Sequence, residues 1–431
     1  MSTKSQHRFS VLIQGGKDSV IMDNNDIYQV RIHEDIYSYS KSVQVICKDS
    51  RALHEMLPLI GNEKVLITYS SLLDSGESYI DKEFSFNIMK INVENTEDRN
   101  RHAIELVGID ENYKKLHTYH FTRSFSDACY TYGDIAKYIL EIMAEVKLKE
   151  FENCPEFLKY FHTGLKTPAQ CVKWLLSRCT SLVTGVPGYV MYSDTKDSGD
   201  DSMRFISLET LLQKGVDVIP PSDGMYTVRS HNEYNINDIK GYKINRPDKM
   251  QMRNLIGGYT LCWDINRKKY IKVDLNYLDA LEKFTCLGSK SLFNTAAIDI
   301  DIGEFKKHIN INENNEEILK NIYFSDWVLR YCLQQTVQCV IEGHASRFAG
   351  GMIEIKWPSA DDDIQADHNM IGLFLIKSIT HQFMPAGKPT YQQKMVLIKN
   401  GYHESDPNLI DAVKINTKFT EISGGGGGLP Q

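Results

Sequence analysis

The stretch from about Gln334 to Lys399 leaves this chain few folds to choose from. It reads as four strands in succession: Gln335–Glu342 (QTVQCVIE), Met352–Trp357 (MIEIKW), Ile371–Phe383 (IGLFLIKSITHQF) and Tyr391–Lys399 (YQQKMVLIK). In the second, Ile353, Ile355 and Trp357 fall on one face and Glu354 and Lys356 on the other, the period of two that a half-buried strand requires. Gly343, Gly350–Gly351, Pro358 with the Asp361–Asp363 run, and Pro385–Gly387 punctuate the strands as turns or loops. Strands joined by such connections form an antiparallel sheet or a small barrel rather than a parallel βαβ array.

The opening block, residues 1–122, has the same strand density. Phe9–Ile13, Asp26–His33, Ser42–Cys47, Lys64–Tyr69, Glu83–Val93 and Ala103–Ile109 are candidate strands between Gly-, Asn- and Asp-rich turns. A short helix is expected over Ser50–Leu59, with Ser50 as cap and Pro58 as stop. From Thr131 the period changes. Ile135, Tyr138, Ile139, Ile142, Met143 and Val146 form one apolar helical stripe, and Thr131 with Asp134 is the capping pair. A second helix opens at Thr167, with Pro168 in its first turn, Gln170 reaching back, and Val172, Leu175, Leu176 and Cys179 inward. A hairpin follows, GYVMYSD against MRFISL across the polar Asp194–Ser202 loop, then a short helix over Ser207–Lys214 stopped at Gly215.

Residues 216–330 are less regular. Tyr226–Ser230 and Lys240–Asn245 read as strands, and Gly257–Asp264 with Tyr270–Leu275 as a hairpin tipped by Asn266–Lys269. Asp279–Phe284 and Phe324–Leu333, the latter capped by Ser325, have helical character, and Glu304–Glu317 is an exposed polar excursion. The tail Ser423–Gln431, with its run of five glycines, is a flexible segment by composition.

The order of elements is more specific than any one of them. VIEGHASRFAGGMIEI, IGLFLIKSITHQF and YQQKMVLIKNG, with features on Gly343, Gly350–Glu354, Ile379, His381, Phe383, Tyr391 and Asn400–Gly401, resemble the second tube-forming domain of tail baseplate hub proteins of contractile-tailed phages. Pro168–Arg178, Gly188–Asp194 and Met203–Leu212 resemble the α+β insert that such hubs carry between their two tube domains. The resemblance implies a mostly β, α+β chain of two tail-tube-like antiparallel barrels or sandwiches. Its expected divisions are a first tube-like domain at 1–124, the insert at 125–215, and a discontinuous second tube-like domain at 216–260 and 331–402. A hairpin and helical excursion at 261–330 and a C-terminal extension at 403–431 complete it. The implied role is structural: a homotrimer closing a pseudo-hexameric ring between the tail tube and a trimeric central spike. Baseplate wedge proteins would lie outside it, the tape measure protein and DNA would pass through the lumen, and the protein would reside in the virion after synthesis in the bacterial cytoplasm.

Chemistry that would point elsewhere is thin. Gly15–Ser19 (GGKDS) after the strand VLI is close to the loop with which ATP pyrophosphatases cradle pyrophosphate at a helix start. That loop must lead into a helix, whereas Val20–Met22, Asn24–Asn25 and Ile27–Ile32 read as strand, turn and strand; a hairpin turn is therefore expected here, with an ATP-binding enzyme as the alternative function. A generic β-rich binding module is the other alternative. His117 and His120, in surroundings that look extended and aromatic, lack a third zinc ligand at standard spacing. Asp361–Asp363 lacks the glycine and distal glutamate of a calcium loop. His381 is expected to be a packed or hydrogen-bonded strand residue. No catalytic, metal or cofactor residue is assigned.

Composition bounds the rest. At 431 residues the chain is long for one core, and 42% hydrophobic with 24% charged residues is ordinary globular composition. No run of about 18 apolar residues is present to span a membrane. Nine cysteines without a C-x-x-C pair fit reduced thiols, several at core-like positions. A net charge of −7 argues against a surface built to grip phosphate backbones.

Overall fold

The computed structural model of the protein describes residues 7–15, 18–49, 63–72, 79–95, 102–125, 130–156, 161–199, 201–217, 225–227, 239, 241–245, 257–264, 268–276, 284–287, 290–291, 306–308, 316–331, 335–356, 372–386 and 390–402. The expected helix at Ser50–Leu59, the Asp361–Asp363 run, most of the Glu304–Glu317 excursion and the Gly-rich tail lie outside the described residues.

The N-terminal strands are β1 (His7–Gln14), β2 (Ser19–Ile21), β3 (Ile27–Asp35), β4 (Ser42–Asp49), β5 (Lys64–Leu72), β6 (Tyr79–Asn95) and β7 (His102–Ile109). Their inward residues alternate as strand geometry dictates. Val30 and Ile32 of β3, Val43, Val45 and Cys47 of β4, Val65 and Ile67 of β5, and Phe84, Phe86 and Ile88 of β6 bury into one core. On the other face a polar ladder crosses four strands: Arg31 donates to Gln44 at 3.2 Å, Gln44 to Glu105, and Asn92 to Glu105 at 2.6 Å. The two amides hold the Glu105 carboxyl below its usual range.

A helix, α1 (Glu111–His117), follows β7, where an extended segment was expected. Asp110 caps it by accepting the Tyr113 N–H, and Leu116 anchors its inner side. His117 closes the helix and stacks on Tyr113 at 4.5 Å, while His120 lies beyond its end. The chain then gives β8 (Ser124–Phe125), α2 (Tyr132–Tyr138), β9 (Leu148–Phe151), β10 (Phe161–His162), α3 (Pro168–Leu176), β11 (Tyr189–Ser193), β12 (Met203–Ser207) and α4 (Leu208–Asp217). Both expected capping boxes are present, Thr131 with Asp134 and Thr167 with Gln170. The apolar stripe of α2 stops short of its expected length. The chain widens into a π turn at Ile139–Met143, where the Ala144 N–H bonds the Ile139 carbonyl, and Ile142 turns outward to 61% exposure. Helix α4 continues through Gly215 to Asp217, because one interior glycine costs a helix only about 1 kcal/mol.

The remaining elements are β13 (Met225–Thr227), β14 (Gly241–Asn245), β15 (Gly257–Asp264), β16 (Lys269–Asn276), β17 (Lys290–Ser291), β18 (Lys306–His308), α5 (Glu316–Tyr331), β19 (Thr336–Glu342), β20 (Met352–Lys356), β21 (Gly372–Met384), β22 (Thr390–Ile398) and β23 (Gly401–Tyr402). Strands β15 and β16 form the expected hairpin, to which β18 adds in parallel. Helix α5 starts nine residues before Ser325, which is an interior, buried position rather than a cap. Ile318, Leu319, Tyr323, Trp327 and Val328 extend the apolar stripe upstream and carry the helix with it.

The fold is mostly β. Among the described residues the largest sheet has thirteen strands and runs β14-β19-β22-β21-β3-β4-β7-β6-β5-β1-β2, with β20 on β21 and β13 on β20. The late strands are antiparallel as expected, in a Greek-key order: β19 sits beside β22, not beside β20. N-terminal and C-terminal strands meet in β3–β21, antiparallel from Ser378↔Asp35 to Phe383↔Val30.

A buried polar junction as the candidate functional site

Four of the residues that carried the family resemblance, Gly343, His381, Phe383 and Tyr391, converge where β3 meets β21 and β22. The Gly343 N–H bonds the Tyr391 carbonyl at 2.9 Å, and a Cβ at Gly343 would fall 2.2 Å from the Tyr391 ring. Gly350 has φ +83, a left-handed conformation, and a Cβ there would fall 2.2 Å from the Tyr192 hydroxyl oxygen of the β11–β12 hairpin. Tyr391 stacks on Phe383 at 4.3 Å and donates or accepts at His381 Nδ1 over 2.7 Å. The His381 ring therefore is a hydrogen-bonded strand residue, as expected.

Its other nitrogen was not legible as part of a site. His381 Nε2 lies 3.0 Å from Glu34 Oε1, and both side chains are fully buried. Glu34 also accepts the Thr195 N–H and the Thr195 hydroxyl, each at 2.7 Å. A proton on Nε2 facing the carboxylate leaves Nδ1 to accept from Tyr391. Behind Tyr391, Gln393 donates to the Tyr391 hydroxyl at 3.0 Å and to the His344 carbonyl at 2.7 Å, while its own oxygen accepts from Arg347 at 2.7 Å.

Thr195 belongs to the β11–β12 loop, which threads this junction. Lys82 of β6, 6% exposed, donates to the Thr195 carbonyl at 3.0 Å and to that of Lys196. Lys41, fully buried, reaches the Asp194 carbonyl and Asp201 Oδ1, both at 3.3 Å, and lies over the Phe84 ring. Asp194 pairs with Arg204, whose second branch reaches Glu150 at 2.8 Å. The tip of the loop rests on the backbone of β6: Ser198 accepts the Glu83 N–H at 2.8 Å, and the Gly199 N–H bonds the Glu83 carbonyl at 2.7 Å. The polar loop that joins the hairpin is thus bonded to β3 and β6.

The electrostatics follow from this burial. Desolvation lowers the Lys82 ammonium, against the pull of Glu34 and Asp194. Desolvation also raises Asp194, against Arg204, and raises Asp110 to about 6, against Lys41. Removing one partner from such a set leaves an unpaired buried charge, so the three segments are energetically interdependent.

A Glu–His–Tyr arrangement can move protons, but a reacting molecule must reach it. Here Glu34 and His381 have no exposed surface, so the arrangement works as a structural lock. Among the described residues no group of three or more His, Cys, Asp or Glu is placed to hold a metal ion. Of the Gly15–Ser19 motif, Gly15, Asp18 and Ser19 are among the described residues: β1 and β2 pair antiparallel through Gln14↔Ser19, and the Gly15 N–H bonds the Asp18 carbonyl at 2.8 Å. The helix that a pyrophosphate loop feeds is replaced by β2.

Alternation could have exposed the missed residues. Glu34 continues the inward series Val30–Ile32, and Lys82 begins the inward series Phe84–Phe86–Ile88. A charge at a core-facing strand position signals a buried partner.

At the sequence level no family profile and no curated protein matches the chain. Solved structures do match in fold. The tail protein from Neisseria meningitidis MC58 is similar at 10% identity with a TM-score of 0.54, over 91% of this chain and 97% of that one. The 43 kDa tail protein of prophage MuSo2 from Shewanella oneidensis is similar at 11% identity and 0.53, over 91% and 98%. A chain of the half-lidded Francisella PdpA–VgrG complex is similar at 12% identity and 0.50, over 93% of this chain and 59% of that one. The chain has the fold of phage tail proteins.

Proposed function

We propose that this chain is the central hub of a tail baseplate. Three copies close a pseudo-hexameric ring that joins the tail tube to a trimeric central spike and passes DNA through its lumen. The observation that carries the reading is the β3–β21 pairing, which merges N-terminal and C-terminal strands into one sheet. Each copy then presents a double-width arc, the unit that converts threefold into pseudo-sixfold symmetry. Its division into tube-like segments at 1–124 and at 216–260 with 331–402, around an insert at 125–215, is part of the proposal.

The ends of the arc are β2 and β14, each paired on one side among the described residues. Ile21 on β2 is 69% exposed and Tyr242 on β14 is 51% exposed. Exposed edges invite strand pairing, and a head-to-tail contact between copies makes a ring when the rotation closes. The net charge of −7 suits a passage that lets DNA slide. Spike and tube proteins occupy the two rims of such a ring, wedge proteins its outside, and the tape measure protein its lumen, in a virion.

Light scattering across a concentration series, alone and with a candidate spike protein, tests the proposal. A trimer, or a monomer that becomes trimeric with the spike, is expected; a stable monomer indifferent to the spike overturns it.

A further inference from the structure

The whole-chain charge of −7 conceals a local reversal. Strands β15, β16 and β18 form a small sheet of their own, in the order β16-β15-β18. These strands and the turn 265–268 hold six cations, Arg267, Lys268, Lys269, Lys272, Lys306 and Lys307, against only Asp264 and Asp274. Cations gathered on one unit of an acidic chain are an electrostatic footprint that the average charge misses.

The two faces of this sheet differ. Val273 is buried, and Ile271 packs against the same core, to which α5 contributes Leu319, Tyr323 and Trp327. Strand alternation turns Tyr270, Lys272 and Asp274 the other way, and 64% of Tyr270 is exposed. In the register Leu261 stands opposite Lys272 and Tyr259 opposite Asp274, so these two half-buried side chains share the outer face. The Lys272 ammonium lies 4.6 Å from the centre of the Tyr259 ring and 3.1 Å from Asp274. Beyond Tyr259 and Leu261 the parallel register sets Lys306 and His308. At the tip of the hairpin Lys268 and Lys269 are exposed, with Lys268 at φ +50 where the chain reverses. Neither has a carboxylate partner among the described residues.

A sheet that sets tyrosine rings among lysines offers two contacts together, π faces for bases and ammonium groups for phosphates. An anionic membrane would use the same lysines, but it also takes up an apolar side chain, and Ile271 and Val273 of β16 are committed to the core. We propose that the outer face of the β16-β15-β18 sheet is a contact surface for single-stranded nucleic acid. Tyr270 stacks on a base, Lys268 and Lys269 take the phosphates beside it, and Lys272 with Tyr259 continues the track toward β18. Contacts to phosphates and base faces carry no sequence preference, so the strand slides across the sheet. The inference stands on this sheet alone and not on how many copies of the chain assemble.

Fluorescence anisotropy of a labelled oligo-thymidylate, titrated with the full chain at low salt, tests this. Saturable binding that weakens as salt is raised is expected. Lys268→Gln combined with Lys269→Gln should lower affinity at least tenfold and reduce the slope of log affinity against log salt by about 1.4. Lys90→Gln combined with Lys394→Gln removes the same charge from exposed positions of the large sheet and should stay within twofold of the natural chain. Tyr270→Ala should weaken oligo-thymidylate at least fivefold and leave binding of a DNA duplex within twofold. All five altered side chains are exposed, and circular dichroism of each variant checks its fold. Absence of binding overturns the proposal, as does an equal loss in the two lysine pairs or a Tyr270→Ala variant that binds oligo-thymidylate unchanged. Capture of the chain by phosphatidylglycerol vesicles without binding of the oligonucleotide overturns it in favour of a lipid surface.

Discussion

Glu34 and His381 stand 347 positions apart in the chain and meet at 3.0 Å with no solvent between them. Their contact lies inside the strand pair that joins N-terminal β3 to C-terminal β21, and the Thr195 loop closes over it.

Replacing Glu34 with alanine removes the acceptor for His381 and for both Thr195 donors at once. Breaking a buried pair of this kind costs about 3–5 kcal/mol. Urea denaturation of Glu34→Ala is expected to show a loss of that size, against about 0.5 kcal/mol or less for Lys394→Ala on an exposed strand position. Equal losses in the two variants would contradict the lock.

Glycine positions separate packing from conformation. A methyl group at Gly343 would sit against three Tyr391 ring atoms at 2.2–2.4 Å, and that ring is held by Phe383 and His381. Gly343→Ala is expected to lower stability by about 1–3 kcal/mol. Gly241 has no neighbour within 4 Å of its Cβ position, so Gly241→Ala should change thermal stability by about 0.5 kcal/mol at most. The ordering of the two melting points is the readout.

The folded Asp110 carboxyl titrates at about 6 rather than 3.8, because burial opposes its charge. The folded state therefore holds this proton more tightly than the unfolded chain does. Its contribution to stability is fully present below pH 3.8 and is lost as pH rises through about 6. Asparagine at this position retains helix capping without titrating. The stability of the natural protein should fall relative to that of Asp110→Asn between pH 3.8 and about 6, then run parallel above; no relative change across this window would contradict the assignment.

The proposed closure of a ring by the sheet ends makes its own prediction. Ile21→Lys and Tyr242→Lys alter exposed side chains on β2 and β14 and should leave circular dichroism and the melting midpoint of the monomer unchanged. Either is expected to shift the trimer–monomer balance toward monomer at least tenfold, read as mass in solution. Trimers of unaltered stability in both variants would place the subunit contact elsewhere.

Much of the local structure was legible because its causes are local. Alternation placed β1, β4, β7 and the late strands within a few residues, and Thr131 with Asp134 and Thr167 with Gln170 marked two helix starts through bonds that span three positions. The GGKDS turn was legible by the strand that follows it. The misjudged places were those where a distant contact overruled a neighbour. Ile142 keeps the helical period but is swung out by the π turn, Gly215 is carried within α4, and Ser325 is absorbed into a helix whose apolar face begins at Ile318. The candidate site was legible only in part. Period two puts Glu34 and Lys82 on inward faces, and the resemblance singled out His381, Gly343 and Tyr391. Their meeting required the β3–β21 register and the docking of the 194–202 loop, because partner choice for a buried charge is made by whichever segment folding brings within 3 Å. Sequence determined the elements and which side chains had to be buried; tertiary structure alone decided which buried charge would face which.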